Sequence, residues 1–258
     1  MYFNGREEKA RRDRSPLADL VKQAPCAAAG QHRRDFQYDD FLTSTAPERA
    51  KVSTHPDANK PPLTPPTDKM RRLHAFFVEQ FGEPEDLWVF DPAEVRHPPP
   101  YLRPTHVMVW PADDKCDVTT FQSLGMSERL MPGRRYFAEL HWGIRGRLNV
   151  AERHAVAQRI ADFCTYPFQH GLALDWWQVL ADPGPLPHFP NCPHLLLHPD
   201  PADPDRSTLA DPTGPIKLLY LIPITARENE ILLTQGKQAF IDDLAARQVD
   251  VLADRPAG

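Results

Sequence analysis

The residue with the clearest chemical potential is Ser127. It stands in Gly125-Met126-Ser127-Glu128-Arg129, one glycine short of the G-x-S-x-G turn that exposes a nucleophilic serine at the end of a strand. A nucleophile there needs a strand, a sharp turn and then a helix whose first amides support an oxyanion. The strand is expected, but Arg129 occupies the place of the final glycine. The following Leu130-Met131-Pro132-Gly133 would break a helix before its second turn. Ser127 therefore reads as a turn residue, with Gly125 supplying backbone freedom, and a hydrolase built on Ser127 stands as the rival.

A second group is His188, Cys192, His194 and His198 in "HFPNCPHLLLH", residue types that hold metals. On a strand, His194 and His198 would lie roughly 13 Å apart at ~3.3 Å per residue, too far to share one ion. Cys192 and His194 could share a face, but Pro193 interrupts and no partner pair occurs elsewhere. Structural or surface histidines are the reading, with no metal and no cofactor expected. A metal-dependent enzyme at the Cys192/His194 region stays as the other form of the rival. The acidic pairs Asp113-Asp114 and Asp242-Asp243 read as turn and helix-surface residues. No glycine loop that cradles phosphate is present, and no nucleic-acid motif.

Arg134 and Arg135, with Arg145 and Arg147, form a local positive cluster. It could meet an acidic partner or simply be a solvated hairpin edge. The segment Glu128, Arg129, Arg134, Arg135 and Tyr136 is the candidate partner surface. Trp176-Trp177 would point opposite ways on a strand, one ring inward and the other available as an interface anchor.

These residues need elements to hold them. Thr67 or Asp68 can cap a helix carrying Met70, Leu73, Phe77 and Phe81, stopped by Gly82 and Pro84. Strands are expected over 104–111, 116–124 and 135–142, the last alternating Tyr136, Ala138, Leu140 and Trp142 against Phe137, Glu139 and His141. Asn149 and Glu152 make a capping box before Val156, Ile160, Phe163 and Cys164, with Pro167 just past the helix end. Further strands are expected over 172–180, 194–198 and 216–224. The last is apolar on both faces and so central, with pairing weakened near Pro223. Thr225 and Glu228 form a second box; Gly236 breaks that helix, and Phe240, Ile241 and Leu244 carry the last one. Clustered strands predict an α+β fold, a mixed and mainly antiparallel sheet with helices packed on it.

Across all 258 residues, prolines number 29 against 12 glycines, and the formal charge is −5. That balance is too mild to argue for nucleic acid. Mean hydropathy is −0.51, low for a wholly packed chain. Residues 1–66 account for this: apolar residues are sparse, and "PDANKPPLTPP" favours extended geometry. They read as a proline-rich, flexible N-terminal extension, with 67–258 as the folded domain. "RRDRSPLADLV" within the extension could also serve as a partner-binding arm. No export signal and no membrane-length apolar run is evident. The widely spaced Cys26, Cys116, Cys164 and Cys192 read as reduced thiols in the cytoplasm.

In order, "LGMS" after a strand, "YFAELHW", "IADFCTYPF", "HLLLHPDP", "GPIKLLYLIPITARENE" and "GKQAFIDDL" resemble the suppressor-of-fused (SUFU) family from about Arg71 to Leu252. The resemblance implies that the Gly-x-Ser turn is a fold signature and that the chain is no enzyme. Eukaryotic members restrain a transcription factor of Hedgehog signalling by binding a short peptide strand of it. The larger ones add a second lobe that helps clamp the peptide. Single-lobe bacterial members are proposed as immunity proteins of polymorphic toxin systems. A protein-binding role of immunity or regulatory type is the resulting expectation.

Overall fold

The computed structural model describes residues 65–91, 104–181, 183–201 and 203–256. The elements run α1 (Asp68–Phe81), β1 (Asp86–Phe90), β2 (Thr105–Trp110), β3 (Val118–Leu124), a 3₁₀ turn (Met126–Glu128), β4 (Phe137–Arg145), α2 (Val150–His170), β5 (Val179–Ala181), β6 (His194–His198), a second 3₁₀ turn (Pro204–Ser207), β7 (Thr208–Leu209), β8 (Ile216–Ile224) and α3 (Ala226–Ala246). The strands form one mixed sheet in the order β1-β2-β3-β4-β8-β6-β5, with β7 on β8. Its strand ladders are antiparallel except β4–β8, which is parallel from Phe137↔Ile216 to His141↔Tyr220. This is the expected α+β architecture.

Local chemistry accounts for the helices. Thr67 caps α1 by accepting from the Met70 amide, and Gly82 (φ 81°) ends it. Both expected capping boxes form, Asn149 with Glu152 at α2 and Thr225 with Glu228 at α3. Gly236 takes a non-helical conformation (φ 87°) and kinks α3 where the break was expected.

Helices cover both faces of the sheet. Val156, Ile160 and Cys164 of α2 pack with Val107, Phe121, Leu140, Trp142 and Leu219. On the other face, Met70, Leu73 and Phe77 of α1 meet Met108, Leu124, Phe137 and Leu218. Farther along that face, Phe240, Ile241 and Leu244 of α3 meet Leu196, Ile222 and Ile224. Each such large side chain contributes about 1.5–3 kcal/mol by leaving water. The alternation expected in β4 is present, yet both of its faces are buried: Ala138, Leu140 and Trp142 toward α2, and Phe137, Glu139 and His141 on the opposite side. Central β8 is likewise buried on both sides, and its pairing with β4 stops at Tyr220, short of Pro223. Its pairing with β6 continues through Pro223 to Ile224.

Several expectations change. The segment 172–180 is strand only from Val179. Asp175 intervenes, its carboxylate accepting from the Trp176 amide while its own amide donates to Gln178 Oε1, and such local bonds compete with a ladder. Trp177 takes a left-handed φ of 66°. Both tryptophans are half-buried, and neither ring is the exposed anchor expected of a strand. Pro167 lies inside α2, which closes three residues later when Gly171 and Leu172 donate to the Pro167 carbonyl. Strand β1 was not expected; its "LWVF" run is the signal for it. Cys164 and Cys192 are free and buried, whereas Cys116 takes part in a disulfide, against the expectation of four reduced thiols. The expected extension falls almost wholly outside the described residues.

Candidate functional site

The Gly-x-Ser turn is built around a buried acid. Ser127 and Glu139 are both 0% exposed. Glu139 Oε1 accepts from the Gly125 amide (2.9 Å), the Ser127 amide (3.0 Å) and Ser127 Oγ (2.7 Å). Ser123 Oγ donates to Oε2 at 2.5 Å and accepts from the Leu140 amide. Burial pushes the Glu139 carboxyl up to about 7, and these donors hold it from rising further. A serine hydroxyl beside a carboxylate resembles half of a nucleophilic constellation. Here the hydroxyl is committed as a donor, the carboxylate is saturated and no solvent reaches either group. The pair does structural work, closing the turn after β3. Gly125 (φ 120°) is required because a Cβ there would come within 2.9 Å of the Pro104 carbonyl oxygen.

The start of α1 is fastened to the same turn. Lys69 Nζ donates to the Ser127 carbonyl at 2.8 Å and sits 3.3 Å from the centre of the Phe137 ring. Burial lowers its pKa against the raising influence of Glu128, Asp211 and Glu139. Thr67 Oγ1 donates to Glu128 Oε1 at 2.7 Å. The point where the chain enters α1 is therefore tied directly to Glu128.

The loop from Glu128 to Tyr136 leaves this buried base and returns to β4. The Met131 amide donates to the Tyr136 carbonyl and the Arg134 amide to the Met131 carbonyl. Met131 is buried, Arg134 and Arg135 are exposed, and Leu130 is 50% exposed. Arg129 reaches the face of Phe168 near the end of α2, 5.7 Å from the ring centre. Tyr136 is half-buried and its hydroxyl donates to the Leu174 carbonyl. Burial, with Asp175 nearby, pushes that hydroxyl up to about 12. The Lys217 ammonium lies 4.2 Å from the Tyr136 ring centre, 4.3 Å from that of Trp176, and 2.6 Å from Asp175 Oδ1. Trp176 Nε1 donates to the Leu218 carbonyl. The five candidate residues thus lie on one loop, and one of them, Tyr136, shares the Lys217 ammonium with Trp176.

The members of the histidine–cysteine stretch have separate surroundings. Cys192 is buried against the Arg255 guanidinium (3.5 Å), and burial raises its thiol. That guanidinium also donates to the Pro223 carbonyl and pairs with Glu228. His194 and His198 lie at the two ends of β6, and His198 is buried against the Trp177 ring. Among the described residues no group of three or more His, Cys, Asp or Glu could hold a metal. Nor is any helix among them long and apolar enough to cross a membrane.

Sequence reasoning found the turn but missed its anchors, Glu139 and Lys69. The signal for Glu139 was an acid inside "YFAELHW" on a strand bound for the core, since a buried charge demands partners. Nothing local marks Lys69, whose partners are 58 and 68 residues away in the chain.

The family model for Suppressor of fused protein (SUFU) matches residues 102–254. No curated protein sequence matches the chain. Among solved structures, the chain is similar to Sufu in its complex with Fu, at 14% identity over 61% of this chain and 76% of that one, with a TM-score of 0.43. It is similar to Drosophila Suppressor of Fused at 15% identity and TM-score 0.43, over 59% of this chain and 41% of that one. A SUFU homolog from Neisseria gonorrhoeae FA 1090 matches at 15% identity and TM-score 0.42, over 59% and 76%. With the family model covering more than half of its length, this chain belongs to the SUFU family.

Proposed function

We propose that this protein is a non-enzymatic binding protein of immunity or regulatory type, which holds a partner polypeptide against the loop Glu128–Tyr136. The carrying observation is that loop's construction. Exposed Arg134 and Arg135 and half-exposed Leu130 project from a turn locked by a saturated buried carboxylate. A rigid base lowers the entropy cost of binding. An exposed apolar side chain on the same loop as two exposed arginines suits a partner segment that combines apolar and acidic residues. Toxin capture is the form of this reading in which the partner is encoded next to the gene of this chain.

The test is affinity for the product of an adjacent gene, measured by titration calorimetry. Arg134→Glu with Arg135→Glu should weaken binding roughly tenfold or more, with a smaller effect at high salt, because rim charges act mainly through screened long-range attraction. Unchanged affinity would remove the loop from the interface. Stoichiometric labelling of Ser127 by a serine-reactive probe would instead revive the hydrolase.

A further inference from the structure

The entry of the chain into α1 is fixed at Glu128, two residues from the exposed Leu130. Pro65 and Pro66 therefore lead into α1 next to the loop Glu128–Tyr136. Their sequence holds one segment that differs from its surroundings: Asp35-Phe36-Gln37-Tyr38-Asp39-Asp40-Phe41. It carries three aspartates and three aromatic rings in seven positions and no lysine or arginine. Arg33 and Arg34 immediately precede it, so its acids must act locally and not through net charge.

The length fits. Phe41 and Thr67 are 26 positions apart, and a linker of that length, stiffened by the prolines of 56–66, spans no more than roughly 80 Å. Tethering over such a span gives an effective concentration on the order of millimolar. Even a contact too weak to form between separate molecules would then be well populated. The chemistry fits as well. Arg134 and Arg135 are exposed and basic, and Leu130 of the same loop offers apolar surface. Acids and aromatic rings are the complement of that combination.

We propose that the acidic-aromatic segment Asp35–Phe41 docks in cis on the basic loop around Leu130, Arg134 and Arg135, as a built-in competitor for the partner. This rests on the loop being the partner surface, and it adds an occupant from within the chain. A partner must then displace the segment, and its apparent affinity falls by the fraction of molecules in the covered state.

Amide hydrogen exchange of the full chain tests it. Asp35→Lys, Asp39→Lys and Asp40→Lys together alter no residue of the described core, so the domain's own fold serves as an internal control. Amides of 129–136 should exchange roughly threefold or more faster in this variant, those of β3 and β8 should not change, and raising salt should speed wild type toward the variant. Adding Arg134→Asp and Arg135→Asp to the lysine variant should restore protection by swapping the charges. Identical exchange in wild type and the lysine variant would overturn the proposal, as would a change confined to other surfaces. Protection that grows with protein concentration would also overturn it, by assigning the contact to a second copy. The two readings separate cleanly. Partner affinity that depends on Arg134 and Arg135 while exchange ignores the tail leaves the function standing and sinks the cis contact. Exchange that responds to the tail while affinity ignores the arginines does the reverse.

Discussion

Glu139 supplies most of what this turn needs. Four donors converge on it, two of them backbone amides that cannot rotate to find other partners. Glu139→Ala should destabilise the domain by about 3 kcal/mol or more, because buried donors lose their only acceptor; urea unfolding measures this. Glu139→Gln is the informative variant. Its amide oxygen can serve the three donors on Oε1 while its NH₂ faces Ser123 Oγ, reproducing the protonated acid. Burial raises the folded carboxyl from an ordinary 4.5 to about 7. The folded state therefore holds this proton more tightly than the unfolded chain, and wild type loses stability relative to Gln as pH rises through that window. The difference between the two proteins should grow by roughly 2–3 kcal/mol from pH 4.5 to pH 8, read from denaturation at both ends. A difference independent of pH would mean that Glu139 is ionised throughout. Of this network the sequence revealed the turn, through Gly125 and Ser127. The acid remained hidden because convergence of residues 123, 125, 127 and 139 is a property of the β3–β4 pairing.

The helices show the opposite balance. Their start signals are local, so Thr67, Asn149 and Thr225 announced them, and Gly236 announced the kink in α3. Segment 172–178 misled because its tryptophans favour strands, while Asp175 and Gln178 bond their own backbone neighbours and divert the chain into turns. Asn149→Ala and Thr225→Ala should each cost about 1 kcal/mol, seen as a lower urea midpoint at unchanged slope. Thr225→Ala should cost more, since its box partner Glu228 is buried and also holds Arg247 and Arg255. The two boxes lie on helices covering opposite faces of the sheet, so the double variant should show the sum of the two losses.

For the molecule as a whole, acid is the weak side. His74, His106, His141 and His198 are buried, and burial lowers each to about 4 from an ordinary 6.5. A base with a depressed folded pKa gives stability that is complete above 6.5 and lost as pH falls through about 4. Glu139 slopes the other way, but four groups oppose one. The Tm should therefore drop by many degrees between pH 7 and pH 4.5, and a Tm flat across that range would show that these imidazoles accept protons without unfolding. The sheet order had a partial sequence signature. β8, apolar on both faces, read as central; that its neighbour across the parallel ladder would be β4 did not follow from any local pattern.

That ladder joins Phe137 to Ile216, 79 positions later, and it sets a hazard during synthesis. β1 to β4 can zip up as they emerge, but β4 then waits with one edge unpaired and its Ala138, Leu140 and Trp142 face apolar until β8 is made. At the usual pace of about 5–20 residues per second, the wait lasts roughly 4–16 seconds. For that interval the growing chain offers a sticky template to its neighbours on the polysome, and chaperones that shield nascent strands should matter more to its yield than the stability of the finished protein would suggest.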